Sequence, residues 1–437
     1  MIKKFLILLA VTFLFNFMPD LLKAEQNQDL LEQIKSLQNK LQELEKKVEQ
    51  QSSTIQETKD AQKDVKEASD MLKTLKEHIA ISGALEVETN YSKFSKKDEK
   101  SEHSSDITLA TAEIDIEATL NEYASGKLVF LWEEDDTEPV DIDEGYLTLG
   151  GSDTVPIYLK AGKMYVPFGN FESNFISDPL TLEIGETRES AVQFGVSYRG
   201  IDLSTYFFNP DIDENRDSNA DIIKSWGATL SVEFGNSSEK ESGSEAKPEY
   251  ANKVLNVLPE ETSLNIQISY INNISDGDSF KDAMSDNDWG SSVKDYVGGF
   301  HAFLMAEFFS FNFIAEYLSA VDDFDQTDFG EIGKKFQPET WNFELGYTFP
   351  FVYERELTVA LKYGGSNEAA FIDPIVFMEE EYGIVFSTNL LSNEKWGTEL
   401  GLSLEYLHGE ADEDIVKLLG ESIDSRDSIT LQLSATF

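Results

Sequence analysis

The sequence predicts an all-β fold, a transmembrane antiparallel β-barrel of about sixteen strands, preceded by a short coiled-coil helix. Three observations point there. After position 78, apolar residues recur at every second position instead of every third or fourth. The chain is 41% hydrophobic and 12% aromatic yet carries a net charge of −47, so apolar and polar groups must be segregated onto separate faces. Beyond the N-terminal stretch, no apolar run is long enough to cross a membrane as a helix, so any crossing is made by strands.

Residues 1–24 read as a secretory signal peptide. Lys3 and Lys4 precede an apolar run from Phe5 to Met18, Pro19 breaks it, and Ala24 is a small residue near the expected cut. The run is about 14 residues, short of the roughly 20 that a spanning helix needs. Residues 25–77 read as a periplasmic coiled coil. Leu30, Ile34, Leu37, Leu41, Leu44 and Val48 step by four and three among Glu, Gln and Lys, and the seam returns at Val65, Ala68, Leu72 and Leu75. So narrow a stripe needs a partner, and a homotrimer is expected. A helix folded back on the barrel is the alternative.

Residues 78–437 are assigned to the barrel. In the last strand Ile429, Leu431, Leu433, Ala435 and Phe437 alternate with Ser428, Thr430, Gln432, Ser434 and Thr436. This resembles the closing strand of bacterial outer-membrane barrels, a likeness that implies recognition of Phe437 by the outer-membrane assembly machinery. The edge strand of a soluble sheet would leave that aromatic end needing cover. The same alternation occurs at Phe194–Tyr198, Ile201–Phe207, Trp226–Phe234, Leu264–Tyr270, Trp341–Phe349, Leu357–Tyr363 and Leu400–Tyr406. Aromatics gather at strand ends, as lipid–water interfaces favour. Connections alternate between long (165–187, 272–296, 408–425) and short (121–124, 199–200, 309–311), as an outer-membrane barrel requires. Residues 235–261 are long where a short turn is expected, which leaves the strand count open by two.

With apolar positions facing lipid, the intervening ones face the lumen. That puts Glu86, Glu88, Glu113, Asp115, Glu117, Asp202, Glu233, Glu316, Glu344, Glu399 and Glu405 inward, with Lys160 and Lys362 as cations. Carboxylates lining a pore favour cations; the bland alternative places them solvated at the rims. The segment around Lys163, Pro167, Phe168, Gly169, Phe171, Glu172 and Arg188 is the third outward loop, and in sixteen-stranded porins that loop commonly folds into the pore. Pro167 cannot donate to a ladder and must leave the sheet. Arg188 and Lys163 are expected to bring positive charge to the acidic lumen. A loop packed on the rim is the alternative.

Gly162-Lys-Met-Tyr-Val-Pro-Phe-Gly-Asn-Phe-Glu-Ser-Asn174, followed by Asp178-Pro-Leu-Thr-Leu-Glu-Ile-Gly-Glu-Thr-Arg-Glu-Ser-Ala191, resembles the LbtU family of siderophore porins. The shorter Gly-x-x-x-x-Pro-Phe-Gly element also resembles phosphate-selective porins. The first resemblance implies a plugless barrel that takes up a ferric siderophore across the outer membrane. It transfers no binding residue to this chain. Ferric polycarboxylate siderophores are anionic and this lumen is acidic, so either the third loop's cations recognise the cargo or the cargo is neutral or cationic.

Other classes are set aside. The charge opposes nucleic acid as a partner, and the absence of cysteine excludes disulfides, thiolate metal sites and thiol nucleophiles. Four histidines (His78, His103, His301, His408) form no metal or catalytic spacing, so neither an enzyme nor a resident cofactor is expected. Asp211–Asp221 places oxygen ligands at alternate positions but has Arg216 where a calcium loop needs Gly, and Ile222 where it needs Glu. Expected partners are outer-membrane lipid and lipopolysaccharide, the assembly machinery, and a ferric siderophore or other small solute. A general cation-preferring porin and a surface adhesin remain the rival functions.

Overall fold

The computed structural model describes residues 24–437 except 98, 135–138, 153, 215–221, 236–261, 288, 330–333, 353–354 and 394–396. The signal-peptide reading therefore lies outside the described residues. The chain divides into two units, residues 1–76 and 77–437.

The described residues of the first unit lie in one helix, α1 (Ala24–His78), of 55 residues with neither glycine nor proline. Continuous helix is what Glu, Lys, Gln, Leu and Ala favour. Ile34, Leu37, Leu41, Leu44 and Val48 are all exposed along it, between 46% and 64%.

In the second unit strand follows strand from Ile79 onward. Its strands are β1 (Ile79–Lys96), β2 (Glu102–Asn121), β3 (Ala124–Trp132), β4 (Asp141–Gly150), β5 (Ile157–Tyr165), β6 (Arg188–Tyr198), β7 (Ile201–Phe208) and β8 (Ser225–Gly235). They continue as β9 (Thr262–Ile271), β10 (Gly299–Phe308), β11 (Phe311–Ala320), β12 (Glu339–Pro350), β13 (Glu356–Asn367), β14 (Glu380–Asn393), β15 (Thr398–Glu410) and β16 (Ile423–Thr436). Each pairs with its sequence neighbour, and β1 pairs with β16 to close a sixteen-stranded barrel. The long 236–261 connection leaves the count intact, because β8 and β9 pair directly from Gly235↔Ser263 onward. Closure is completed at Phe437, which exchanges backbone hydrogen bonds with Gly83 (2.9 and 3.1 Å).

The alternation is as the sequence predicts. Phe194, Val196, Tyr198, Leu203, Leu230, Phe343, Leu345, Leu404, Ile429, Leu431 and Leu433 are exposed on the barrel exterior, with their neighbours turned inward. Such an exterior is stable only against hydrocarbon, and closed barrels of this kind cross the outer membrane of Gram-negative bacteria. The turn at Arg199-Gly200 shows how local chemistry sets the register. Both residues have positive φ (52° and 80°), the geometry that lets a two-residue turn follow the twist of β6 and β7.

The long connections carry the helices α2 (Leu180–Gly185), α3 (Asp278–Asp286) and α4 (Glu413–Leu419). Between them they build an apolar core of a kind that an open tube lacks. Phe280, Phe324, Phe329, Phe336, Phe371 and Phe377 are fully buried, with the Phe324 and Phe329 ring centroids 5.1 Å apart. Asp276 ties these connections together. It accepts hydrogen bonds from the N–H groups of Asp211 (3.1 Å) and Ile212 (3.0 Å), from Ser225 Oγ (3.1 Å) and from Asn273 Nδ2 (2.8 Å). Burial pushes its carboxyl up to about 6, against the pull of those bonds.

Candidate functional site

The third outward connection, residues 166–187 and here L3, leaves the sheet at Pro167 and folds into the barrel. Its course is fixed by inward-facing wall residues. The Pro167 carbonyl accepts Thr229 Oγ1 of β8, and the Gly169 carbonyl accepts Gln267 Nε2 of β9 (2.7 Å). Phe168 is buried, and its ring and that of Phe171 lie edge-on to His301 of β10 (centroids 6.2 and 5.5 Å). Gly169 has φ 129°, and a Cβ there would meet the Phe171 ring at 2.1 Å, so glycine is required at this corner.

Further along, three wall carboxylates take hold of L3. Glu344 of β12 accepts Ser173 Oγ (2.7 Å), Asn174 N–H (2.7 Å) and Asn174 Nδ2 (2.8 Å). Glu405 of β15 accepts Ile176 N–H (2.6 Å), Ser177 N–H (3.1 Å) and Ser177 Oγ (2.6 Å). Glu316 of β11 accepts Thr181 Oγ1 at the start of α2 and contacts His301 Nε2 (2.6 Å). A carboxylate is the natural receptor for adjacent N–H and O–H donors, and burial strengthens each bond. From its other side α2 is braced by α3: Asp278 N–H donates to the Glu186 carbonyl (2.9 Å) and Ser279 Oγ to Glu183 (3.2 Å).

The expected pore-lining residues all sit on the inward face, but their surroundings differ. Glu316, Glu344 and Glu405 are each 1% exposed. They are consumed in holding L3 and are not free carboxylates in an open channel. Lys362 is buried against Glu381 (2.8 Å), which also binds Arg426 (3.2 Å), and Lys160 lies over the Tyr146 ring (3.8 Å). Glu113 and Glu117 are half-buried, and Asp115 is buried.

The constriction residues also separate. Pro167, Phe168, Gly169 and Phe171 anchor L3 to the wall, while Glu172 is exposed. Lys163 and Arg188 lie in the strands that flank L3, and each meets an acid. Both are ladder residues, paired Gly145↔Lys163 and Tyr165↔Arg188. By strand alternation Lys163 shares the face of exposed Ile157, and Arg188 that of exposed Phe194. Lys163 Nζ binds Asp141 (3.2 Å) and the Ile142 carbonyl (2.8 Å), and Arg188 pairs with Asp143.

The carboxyls that remain on L3 are Asp178, Glu183 and Glu186. Burial raises the pKa of all three. Glu183 is pushed up to about 7, with Asp178 as the next cause, and Glu186 up to about 8, with Asp278 next. Sequence reasoning passed over Ser173, Asn174, Ser177 and Thr181, the donors that seat L3. Short hydroxyl and amide side chains between fixed Pro and Gly corners were the available signal, but nothing local names their acceptors. Among the described residues no three His, Asp or Glu side chains are arranged to hold a metal ion.

No protein-family model matches the chain. It is similar in sequence to a UPF0422 protein of Coxiella burnetii, with 23% identity over 335 residues, covering 76% of this chain and 64% of that one. It is also similar to the UPF0422 protein lpl2888 of Legionella pneumophila, with 22% identity over 363 residues, covering 76% and 62%. The chain thus spans less than two thirds of the length of these relatives. In structure it is similar to an anion-selective porin from Comamonas acidovorans, with a TM-score of 0.50 and 9% identity, covering 82% of this chain and 99% of that one. The outer membrane channel DcaP of Acinetobacter baumannii aligns over 82% and 97% with a TM-score of 0.48 and 13% identity. The shared property is the fold, a porin-like outer-membrane barrel.

Proposed function

We propose that this protein is a passive diffusion channel of the outer membrane, narrowed by L3 and preferring cations. The observation that supports this most is the seating of L3 across the lumen by Glu316, Glu344 and Glu405. A loop held by three wall carboxylates reduces the aperture permanently. The cations expected near the lumen are each matched by an acid. Lys163 pairs with Asp141, Arg188 with Asp143 and Lys362 with Glu381. Glu172 on L3 is exposed and Glu86 and Glu88 on β1 are half-buried, so the carboxyl groups that keep contact with water favour cations over anions.

Uptake of a ferric siderophore is a second reading, favoured because the segment resembling siderophore porins, positions 162–191, is the segment that builds L3. On this electrostatic pattern such a cargo is neutral or cationic. The α1 seam, exposed from Ile34 to Val48 and at Val65, supports a homotrimer joined in the periplasm. Planar-bilayer recording tests the channel: stepwise conductance with a cation-selective reversal potential is expected, and a silent bilayer refutes it. Titration with ferric siderophores, together with iron-limited growth with and without the gene, tests the cargo. Equal growth removes the siderophore reading and leaves the channel.

A further inference from the structure

We propose that the conduction path is off-centre, a crescent along the inner faces of β1 and β2 with L3 as its far bank, and that the barrel axis is closed. This rests on the channel reading and adds the route that a solute takes through it.

The two sides of the barrel differ in hydration. On β1 and β2 the inward positions keep contact with water over most of the strand length. Glu86, Glu88, Asn90 and Ser92 are half-buried, as are Thr108 and Thr111 opposite them, and Asp106 is exposed. These side chains are laced sideways and stay on the wall. Thr111 Oγ1 donates to Glu86 (3.0 Å), Gln432 Nε2 to Glu88 (2.9 Å), Asn90 Nδ2 to Thr430 Oγ1 (2.9 Å) and Ser92 Oγ to Asn90 Oδ1 (2.7 Å).

Across the barrel the inward positions are sealed. Ser269 of β9, His301 of β10, Leu318 of β11, Thr340 and Asn342 of β12 and Ser366 of β13 are all buried. Thr340 Oγ1, Asn342 Oδ1 and His301 Nδ1 have no hydrogen-bond partner among the described residues. Polar atoms facing an open lumen would be bathed by it; these are cut off from bulk water by L3 and the aromatic core. Glycines sharpen the seal, because a Cβ at Gly299 would meet Phe168 at 2.8 Å and one at Gly383 would meet Phe175 at 2.5 Å. L3 is therefore fitted into hollows of the wall on that side, and the passage that remains is on the other. Its lining of carboxylates, amides and hydroxyls suits small hydrated cations and cationic organic solutes.

The chain has no cysteine, so single-cysteine variants report without background. Asn90→Cys and Thr111→Cys would be compared with Thr340→Cys and Ser366→Cys. Each is treated with a small cationic methanethiosulfonate, with adduct mass and single-channel conductance as separate readouts. Retention of the compact heat-modifiable form confirms folding, and urea-unfolded samples confirm that every thiol is competent. In the folded protein N90C and T111C are expected to react about 10-fold or more faster than T340C and S366C, because thiol reaction follows access. Their conductance steps are expected to shrink on modification. Equal or reversed labelling overturns the off-centre path while leaving the channel intact, as does labelling of N90C and T111C without a change in conductance. A wild-type protein that shows no steps removes the channel reading, and the path with it.

Discussion

Replacing Glu405 by alanine would test the seating of L3 where it is most concentrated. This one carboxylate accepts three hydrogen bonds, at 2.6, 3.1 and 2.6 Å, from Ile176 and Ser177, and it is 1% exposed. Bonds to a charged acceptor contribute about 1.5–3 kcal/mol each, but bonds sharing one carboxylate are not additive. Leaving buried donors without their acceptor costs about 1–3 kcal/mol, and E405A is placed at the upper end of that range. Two backbone N–H groups and a hydroxyl would lose their acceptor, while Glu344 still grips Ser173 and Asn174 three residues upstream. L3 would then be tethered at Glu344 and Glu316 but free between them. The expected results are a lower temperature for loss of the compact form on cold denaturing gels and larger single-channel steps. E405Q keeps one acceptor oxygen and turns an amide donor toward the other donors, so it should fall between alanine and wild type. An E405A protein with wild-type melting and wild-type conductance would refute the argument that this carboxylate positions the loop.

Other consequences can be measured in the same preparations. Glu183 and Glu186 hold their protons to about 7 and about 8, above the ordinary 4.5, because burial disfavours their charged forms. The stability that they contribute is fully present below pH 4.5 and is lost as pH rises through that range to about 8. Thermal stability should therefore be higher at acidic than at alkaline pH, and E186Q should narrow the gap; an unchanged gap in E186Q would contradict the assignment. Arg188→Glu removes the partner of buried Asp143 and adds a like charge, so it should lower thermal stability by about 1–3 kcal/mol. Wild-type melting of R188E would contradict the pairing. In α1, Leu37→Asp with Leu41→Asp places charge in the exposed seam and should abolish chemically cross-linked trimers while the barrel remains folded. Persistent trimers would move the association elsewhere.

Much of the architecture was legible because hydrocarbon acts on each strand residue separately. Ile429, Leu431 and Leu433 needed no knowledge of the rest of the chain to be assigned outward, and the break at Pro167 was visible from its missing N–H. The pairing of Lys163 and Arg188 was less legible. Both lie outside the connection 165–187 that the sequence predicts, but their acidic partners, Asp141 and Asp143, are on β4 and no local pattern names them.

The partners of L3 were of another kind. Thr181 and Glu316 are 135 residues apart, and Ile176 and Glu405 are 229 apart. No local pattern distinguishes Glu316, Glu344 and Glu405, which are buried beneath the loop, from Glu86 and Glu88, which keep water. All five occupy the same phase of an alternating strand. The sequence by itself determined which face of each strand meets lipid, since that contact is made residue by residue at a two-residue period. Only the tertiary structure decided which inward groups meet water, because that depends on where a distant loop comes to rest and on how many donors it brings to each carboxylate.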